Sequence, residues 1–208
     1  ETYLIQALAE EYSHATLQIL PQCHLDNQII NHKKEVGFIA NNGKNIRSDL
    51  ISFLGKTAEN KTLIFIYLGE HGTRTVNWGN LRENKDCLFL TRDPIKHPDV
   101  HFIDDKFSYH DLIASSDTTL TKGGYSTLAT AFANHKPVIT CERDDFYEFE
   151  AVREYLQKRQ IGIIVKSAPF KQGDWQEPIK EALKLTVKNK VPLNGEIEIA
   201  EIVQQMLS

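Results

Sequence analysis

Three features predict an α/β fold with a Rossmann-like, mostly parallel sheet and helices on both faces. Short apolar runs alternate with longer amphipathic segments along most of the chain, the pattern of βαβ units. The run Leu63–Leu68 is apolar at every position, as a central strand covered on both sides requires. The stretch from Asp117 to Thr140 reads strand, Gly-Gly turn, helix, Pro, strand, one whole unit of that alternation.

Taken in order, the pattern predicts a short helix over Thr2–Glu11 and a strand over Ala15–Leu20. A strand at Glu35–Ala40 and a helix at Asn45–Leu54 follow, then the central strand Thr62–Leu68. Strands are expected at Cys87–Leu90 and Val100–Phe102, and a helix at Ser108–Ser115 with Ser108 as its N-cap. After the strand Thr118–Thr121, the helix Ser126–Asn134 is stopped by Pro137. The strand Val138–Thr140 leads to a helix over Asp145–Arg159, with Phe146, Phe149, Val152 and Leu156 on one face. A strand at Gly162–Val165 and helices at Trp175–Thr186 and Glu196–Leu207 complete the chain.

Two seams divide this run. Pro21–Lys34 is polar and rich in Asn, Gln and His, and Lys188–Asn194 is a basic turn that contains Pro192. The expected organisation is therefore residues 1–34 as the tail of a preceding domain and its linker, 35–190 as the Rossmann-like domain, and 191–208 as a helix that packs back toward the preceding domain. The first residue is Glu1 and no signal peptide is visible, so a trimmed piece of a longer protein is expected.

Composition narrows the classes. Hydrophobic residues are 41% and charged residues 25% of the 208, enough to bury a core. The net charge is −4, which argues against a dedicated nucleic-acid binder. The longest apolar run is far shorter than the roughly 20 residues of a membrane helix. The three cysteines, Cys23, Cys87 and Cys141, form neither a CxxC pair nor a disulfide framework, so no zinc site and a reducing, cytoplasmic setting are expected.

The chemistry is concentrated around Gly123 and Gly124. Glycines there permit positive φ and remove Cβ atoms that would block a close ligand. The amides of Tyr125, Ser126 and Thr127 open the next helix without intrahelical acceptors, beside the positive end of its dipole. Such a turn can hold phosphate without a cationic side chain. The same residues also suit a plain tight turn in which Ser126 or Thr127 merely caps the helix.

With Ala114–Asp117 before the strand, Lys122–Thr127 at the turn and Lys136–Val138 after the helix, the chain resembles the C-terminal, donor-binding half of GT-B glycosyltransferases. It is similar to the peptidoglycan N-acetylglucosaminyltransferase family. It is more similar to the GT-B-like N-terminal region of plant L-arabinokinases, through Glu11–His14, Arg143–Phe146, Trp175 and Asn194–Gly195 as well. The resemblance runs from about Glu35 to the end, and no sugar-kinase domain is present.

The resemblance implies a donor diphosphate on Gly123, Gly124, Tyr125, Ser126 and Thr127. The family's ribose-binding Glu is replaced here by Thr130, whose single hydroxyl cannot match a bidentate carboxylate. Asp144, Asp145 and Glu148 stand where the family contacts the donor sugar. Asp145 with Glu148 also spells a capping box for the helix that follows. Ile103 and Phe107 correspond to the base site, with backbone groups of Ile103 at the base edge; Phe102 and Phe107 also suit a core role. At the turn Gly69–Gly72, Glu70 replaces a family glycine and would repel a diphosphate, which Arg74 could offset while His71 bonds a phosphoryl oxygen.

Other motifs fail. Gly55–Thr57 resembles the end of a P-loop, but Leu50 occupies the place of its first glycine. The nicotinamide fingerprint lacks its third glycine, and no Gly-x-Ser-x-Gly elbow is present. Glu198 and Glu201 read as a solvated helix face.

The functional expectation is the nucleotide-sugar-binding half of a glycosyltransferase, with a UDP-sugar as donor, no cofactor and no metal. The general base is expected in the missing N-terminal domain, so this half alone is inactive. Two alternatives stand beside it: a catalytically degenerate GT-B-like binding or regulatory module, and a sugar-nucleotide epimerase.

Overall fold

The computed structural model describes residues 2–25, 28–55 and 58–208, apart from the side chains of Thr2 and His71. Part of the polar seam (residues 26 and 27) and Lys56 and Thr57 of the rejected P-loop lie outside the described residues. The chain divides into two compact units, Glu1–Ile39 with Pro192–Ser208, and Ala40–Val191.

The first unit comprises α1 (Thr2–Ser13), β1 (Gln18–Pro21), β2 (Lys33–Val36) and, from the chain's end, α9 (Gly195–Leu207). β1 and β2 pair in parallel, Gln18 opposite Lys33 and Pro21 opposite Val36. The expected strand Glu35–Ala40 therefore starts earlier and belongs with β1 instead of opening the large sheet. Glu198 is not a solvated residue: it accepts the Gly37 amide at 2.7 Å and the Asn194 side chain at 2.9 Å. Gly195 is required where it sits, because a Cβ there would lie 2.2 Å from the Gly37 carbonyl oxygen. On α1, Tyr3, Leu4, Ile5 and Tyr12 are exposed.

The second unit contains α2 (Arg47–Leu54), β3 (Thr62–Tyr67), α3 (Gly69–Arg74), a 3-10 turn (Trp78–Glu83), β4 (Cys87–Thr91) and β5 (Val100–Phe102). It continues with α4 (Tyr109–Ser115), β6 (Thr118–Thr121), α5 (Tyr125–Ala133), β7 (Val138–Cys141), α6 (Phe149–Arg159), β8 (Gly162–Val165), α7 (Ser167–Lys171) and α8 (Gln176–Ala182). The six strands β3–β8 form one parallel sheet in the order β5-β4-β3-β6-β7-β8. Counted along this unit, that is 3-2-1-4-5-6, the doubly wound Rossmann order. β3 is central, and Leu63, Ile64, Phe65 and Ile66 are all 0% exposed. Trp175, also fully buried, donates its indole N–H to the Phe170 carbonyl at 3.0 Å and packs against Trp78 and Phe89.

Several elements depart from the pattern reading. α3 and α7 are too short to carry a helical period. α6 begins at Phe149 and not at Asp145, so Phe146 lies outside it while Phe149, Val152 and Leu156 are buried as expected. Phe102 is 55% exposed instead of joining the core. Among the described residues no helix is long and apolar enough to cross a membrane.

At the amino ends of β3 and β6, Arg47 ties three segments together. Its guanidinium donates to both Asp117 oxygens (3.1 and 3.0 Å), to the Ser115 carbonyl and to the Lys61 carbonyl. Asp117 in turn accepts the Leu63 amide at 2.8 Å. The carboxyl ends of the same strands lie at the opposite edge of the sheet, and the strand order reverses between β3 and β6. That point is where open α/β sheets leave a crevice for ligands.

Candidate functional site

A cavity of about 400 Å³ opens at this reversal point. Leu68, between β3 and α3, and Gly69 and Glu70 of α3 line it, and Lys122 follows β6. The segment after β7 adds Cys141, Glu142, Arg143 and Asp145, and α7 adds Ser167, Phe170 and Lys171. The volume lies within the range of small-molecule sites.

Lys122, the residue before the Gly-Gly turn, lines the cavity, and the turn itself follows directly in the chain. Gly123 has φ +82°, and a Cβ there would meet the Thr140 hydroxyl at 3.0 Å and the Phe149 ring at 3.3 Å. Gly124 does not share that conformation: it is the N-cap of α5 with φ −68° and ψ 138°. A Cβ on Gly124 would find only the Lys122 Cε, 3.9 Å away, so it faces open space. The helix starts at Tyr125, and neither Ser126 nor Thr127 caps it.

The Thr127 and Ser126 amides differ. The Thr127 amide turns back to the Gly124 carbonyl at 3.1 Å and is not available to a ligand. The Thr127 side chain is 5% exposed and its hydroxyl accepts the Tyr109 hydroxyl at 2.7 Å. Burial pushes the Tyr109 phenol up to about 12, the bond to Thr127 opposing the shift. Thr127 therefore supports the turn from below. Ser126 is exposed, and as the second residue of the helix it has no helical carbonyl four residues back to accept its N–H.

Lys122 is the residue to which the sequence reading gave no role. Its ammonium lies 3.4 Å from where a Cβ of Gly69 would stand, so the missing side chain makes room for it. It thus adds a cation to the phosphate-type turn. Asp93 was also missed. It is 5% exposed, at the end of β4, and its carboxylate accepts the Leu68 and Gly69 amides at 2.6 and 3.0 Å. Burial raises its pKa, while those two N–H groups and the Lys122 charge pull it down. A lysine before Gly-Gly and an aspartate just after an apolar strand were the available signals.

The remaining expectations divide. Asp145 lines the cavity and pairs with Arg143 at 3.4 Å. The capping box is absent, because Glu148 is the N-cap of α6 and makes no side-chain capping bond. Glu148 and Asp144 are exposed, Asp144 lying 3.9 Å from Arg153. Glu70 and Arg74 pair with each other, one helical turn apart, so the carboxylate is already balanced. Thr130 is 3% exposed inside α5, where its carbonyl accepts the Asn134 side chain at 2.8 Å. Ile103 is fully buried and spends its N–H on the Thr91 carbonyl at 2.8 Å. Phe107 packs edge-on against Phe53, ring centres 5.7 Å apart. Of the expected site residues whose side chains are described, only Asp145 lines the cavity; Gly123 to Thr127, Arg74, Thr130, Ile103, Phe107, Asp144 and Glu148 are not among its lining residues. The His71 side chain lies outside the described residues. Among the described residues no three His, Cys, Asp or Glu side chains converge on a metal position.

Comparison with known proteins bears on the fold. No family model matches the chain. A curated relative, L-arabinokinase of Arabidopsis thaliana, is 24% identical over 204 residues, covering 97% of this chain and 20% of the relative. Among solved structures, the calicheamicin glycosyltransferase CalG4 aligns with TM-score 0.65 and 14% identity over 99% of this chain and 58% of its own. UGT71G1 of Medicago truncatula, solved with UDP-glucose, aligns with TM-score 0.56 and 10% identity over 95% and 52%. SnogD of Streptomyces nogalater aligns with TM-score 0.53 and 16% identity over 86% and 52%. The chain spans about half the length of these glycosyltransferases and a fifth of the curated relative. It has the α/β, Rossmann-like fold of one half of a GT-B glycosyltransferase.

Proposed function

We propose that this chain is the donor-binding half of a glycosyl-transfer module, and that its cavity holds a nucleotide sugar, a UDP-sugar foremost. The observation that carries the reading is the cavity's place. It lies at the carboxyl ends of β3, β6 and β7, where the strand order reverses, and its wall includes Lys122, the residue that precedes the Gly-Gly helix start in sequence. The donor diphosphate lies on Gly124, Ser126 and Lys122, and Asp145 meets the donor sugar. In the transfer step the bond from the anomeric carbon to the diphosphate oxygen breaks and an acceptor oxygen bonds that carbon. The acceptor's proton goes to a base on the missing N-terminal half. The amides and Lys122 stabilise the charge that gathers on the departing diphosphate, without a metal. The exposed apolar side chains of α1 form part of the surface that the missing half covers.

One observation favours the second reading, a degenerate binding module. Thr130 is buried as well as lacking a carboxylate, so nothing at that position grips a ribose.

Calorimetric titration with UDP, GDP, ADP and their sugar conjugates, repeated on Gly124→Val, separates the two. Gly124 has ordinary dihedral angles and open space beyond it, so valine blocks the ligand and leaves the turn folded. Binding of one nucleotide that the substitution abolishes supports the donor-site reading. Silence across the panel, repeated on the full-length protein, favours the degenerate module.

A further inference from the structure

The charges around the cavity are unevenly satisfied. Each lining carboxylate has an arginine of its own: Glu70 pairs with Arg74, Glu142 with Arg153 at 2.6 Å, and Asp145 with Arg143 at 3.4 Å. Arg153 is further engaged by Glu150 and Asp144. The two lining lysines, Lys122 and Lys171, have no ion-pair partner among the described residues.

These lysines stand at opposite ends. Lys122 follows β6 at the phosphate turn, and Lys171 lies on α7, beyond β8. Two strand spacings separate β6 from β8, roughly 10 Å. Around Lys171 the wall is formed by Phe170, Cys141 and Ser167, with the paired Glu142 and Arg143 beyond them. The Cys141 thiol donates to the Glu142 carbonyl at 3.2 Å, and Ser167 and Lys171 stand together on α7. A neutral sugar is best met by carboxylates that accept from its hydroxyls, and here those carboxylates are tied to arginines. A hydroxyl and an ammonium at the same end suit an anion instead.

We infer that the Lys171 end of the cavity, with Ser167, receives the carboxylate of an acidic donor sugar, a hexuronic acid, whose phosphate end lies at Lys122. This rests on the donor-site reading above and names the sugar class that the site selects.

The test is calorimetric titration of the whole chain with glucuronic acid 1-phosphate against glucose 1-phosphate, and with UDP-glucuronate against UDP-glucose. Lys171→Gln and Lys171→Arg are measured beside the parent. Lys171 is exposed and its carbonyl accepts the Asn77 amide at 2.7 Å, a main-chain bond that side-chain replacement leaves in place, so both variants should fold. The expected result is about tenfold tighter binding of each acidic ligand than of its neutral counterpart, the effect of one charge-assisted hydrogen bond. Lys171→Gln removes that preference and Lys171→Arg keeps it. Equal affinity for acidic and neutral sugars, or a preference that survives Lys171→Gln, overturns the inference and leaves the donor site standing if UDP still binds. Absence of binding by every nucleotide and sugar phosphate overturns both.

Discussion

The Asp93 carboxylate accepts a 2.6 Å hydrogen bond from the Leu68 amide, and so the end of β4 fixes the turn that ends β3. The same oxygen holds the Gly69 amide at 3.0 Å, and Gly69 then lies under the Lys122 ammonium. A buried acid thereby shapes the rim of the cavity at the point where the strand order reverses.

Asp93→Asn keeps an oxygen for both amides and removes the charge. Burial raises the folded pKa of Asp93 above the ordinary 3.8, so its contribution to stability is fully present below 3.8 and is lost as pH rises through the folded value. The stability of the parent relative to Asp93→Asn should therefore fall as pH rises from about 3.8. Urea unfolding of both proteins at a series of pH values measures this, and a pH-independent difference would refute it. Asp93→Ala also leaves two amides unpaired, so it should cost about 1–3 kcal/mol more than Asp93→Asn, with the same pH dependence relative to the parent.

The two glycines of the turn should separate cleanly. Gly123→Ala forces a side chain into φ +82° and against the Thr140 hydroxyl and Phe149 ring, a cost of about 1–3 kcal/mol. Gly124→Ala meets open space at φ −68° and should change stability by less than about 0.5 kcal/mol. Thermal unfolding of the pair checks this; equal destabilisation contradicts the dihedral assignment.

Asp117, part of the motif through which the chain resembles the glycosyltransferases, acts at the sheet edge opposite the cavity. Asp117→Ala strips the Leu63 amide and Arg47 of their acceptor. Because both side chains are about one-third exposed, solvent moderates the loss, and about 1–2 kcal/mol is expected. Denaturant unfolding gives the cost, while titration with the ligand found for the parent should give an unaltered dissociation constant.

The cysteines should resist alkylation in the folded chain. Burial pushes Cys23 up to about 12 and Cys87 to about 11, and it raises Cys141 as well. At pH 8 only a small thiolate fraction remains at Cys23 and Cys87. Iodoacetamide labelling followed by mass spectrometry should be slow at all three sites and accelerate in urea. Rapid labelling of Cys23 in the native state would mean that its surroundings open readily.

The sheet was legible because its strands announce themselves. The all-apolar run at β3 and the Gly-Gly and Pro punctuation of β6–α5–β7 carry strong local signals, and these place the reversal point. The site was legible only where a backbone demand shows in residue type, as at Gly123. Gly124 carries the same letter for a different reason, space in place of a left-handed conformation. Thr127 and Ile103 were misread because hydrogen bonds to Tyr109 and Thr91 occupy them, and both partners are distant in sequence. Lys171 could not be recognised in advance, since α7 is five residues long and no period reveals it. The Asp145–Glu148 spacing fits a capping box, but the helix begins only after it.

Tyr109 offers the last test, because its role is to support the turn and not to touch a ligand. Its hydroxyl donates to Thr127 at 2.7 Å, and its ring packs edge-on against Tyr67 with centres 4.9 Å apart. Tyr109→Phe keeps the ring and deletes the donor, leaving the buried Thr127 hydroxyl without that partner. The loss should be about 1 kcal/mol, the net worth of one such bond. The first turn of α5 loosens, so any ligand seated on Gly124 and Ser126 should bind a few-fold more weakly without losing a direct contact. Thr127→Val should match it in stability, and the double variant should cost little more than either single one, because the two changes remove one shared bond. In spectrophotometric titration Tyr109 should ionise near pH 12, well above the usual value of about 10, and Tyr109→Phe should lose that step. Additive losses in the double variant would show that the two hydroxyls act separately, and the turn would then need another source of rigidity.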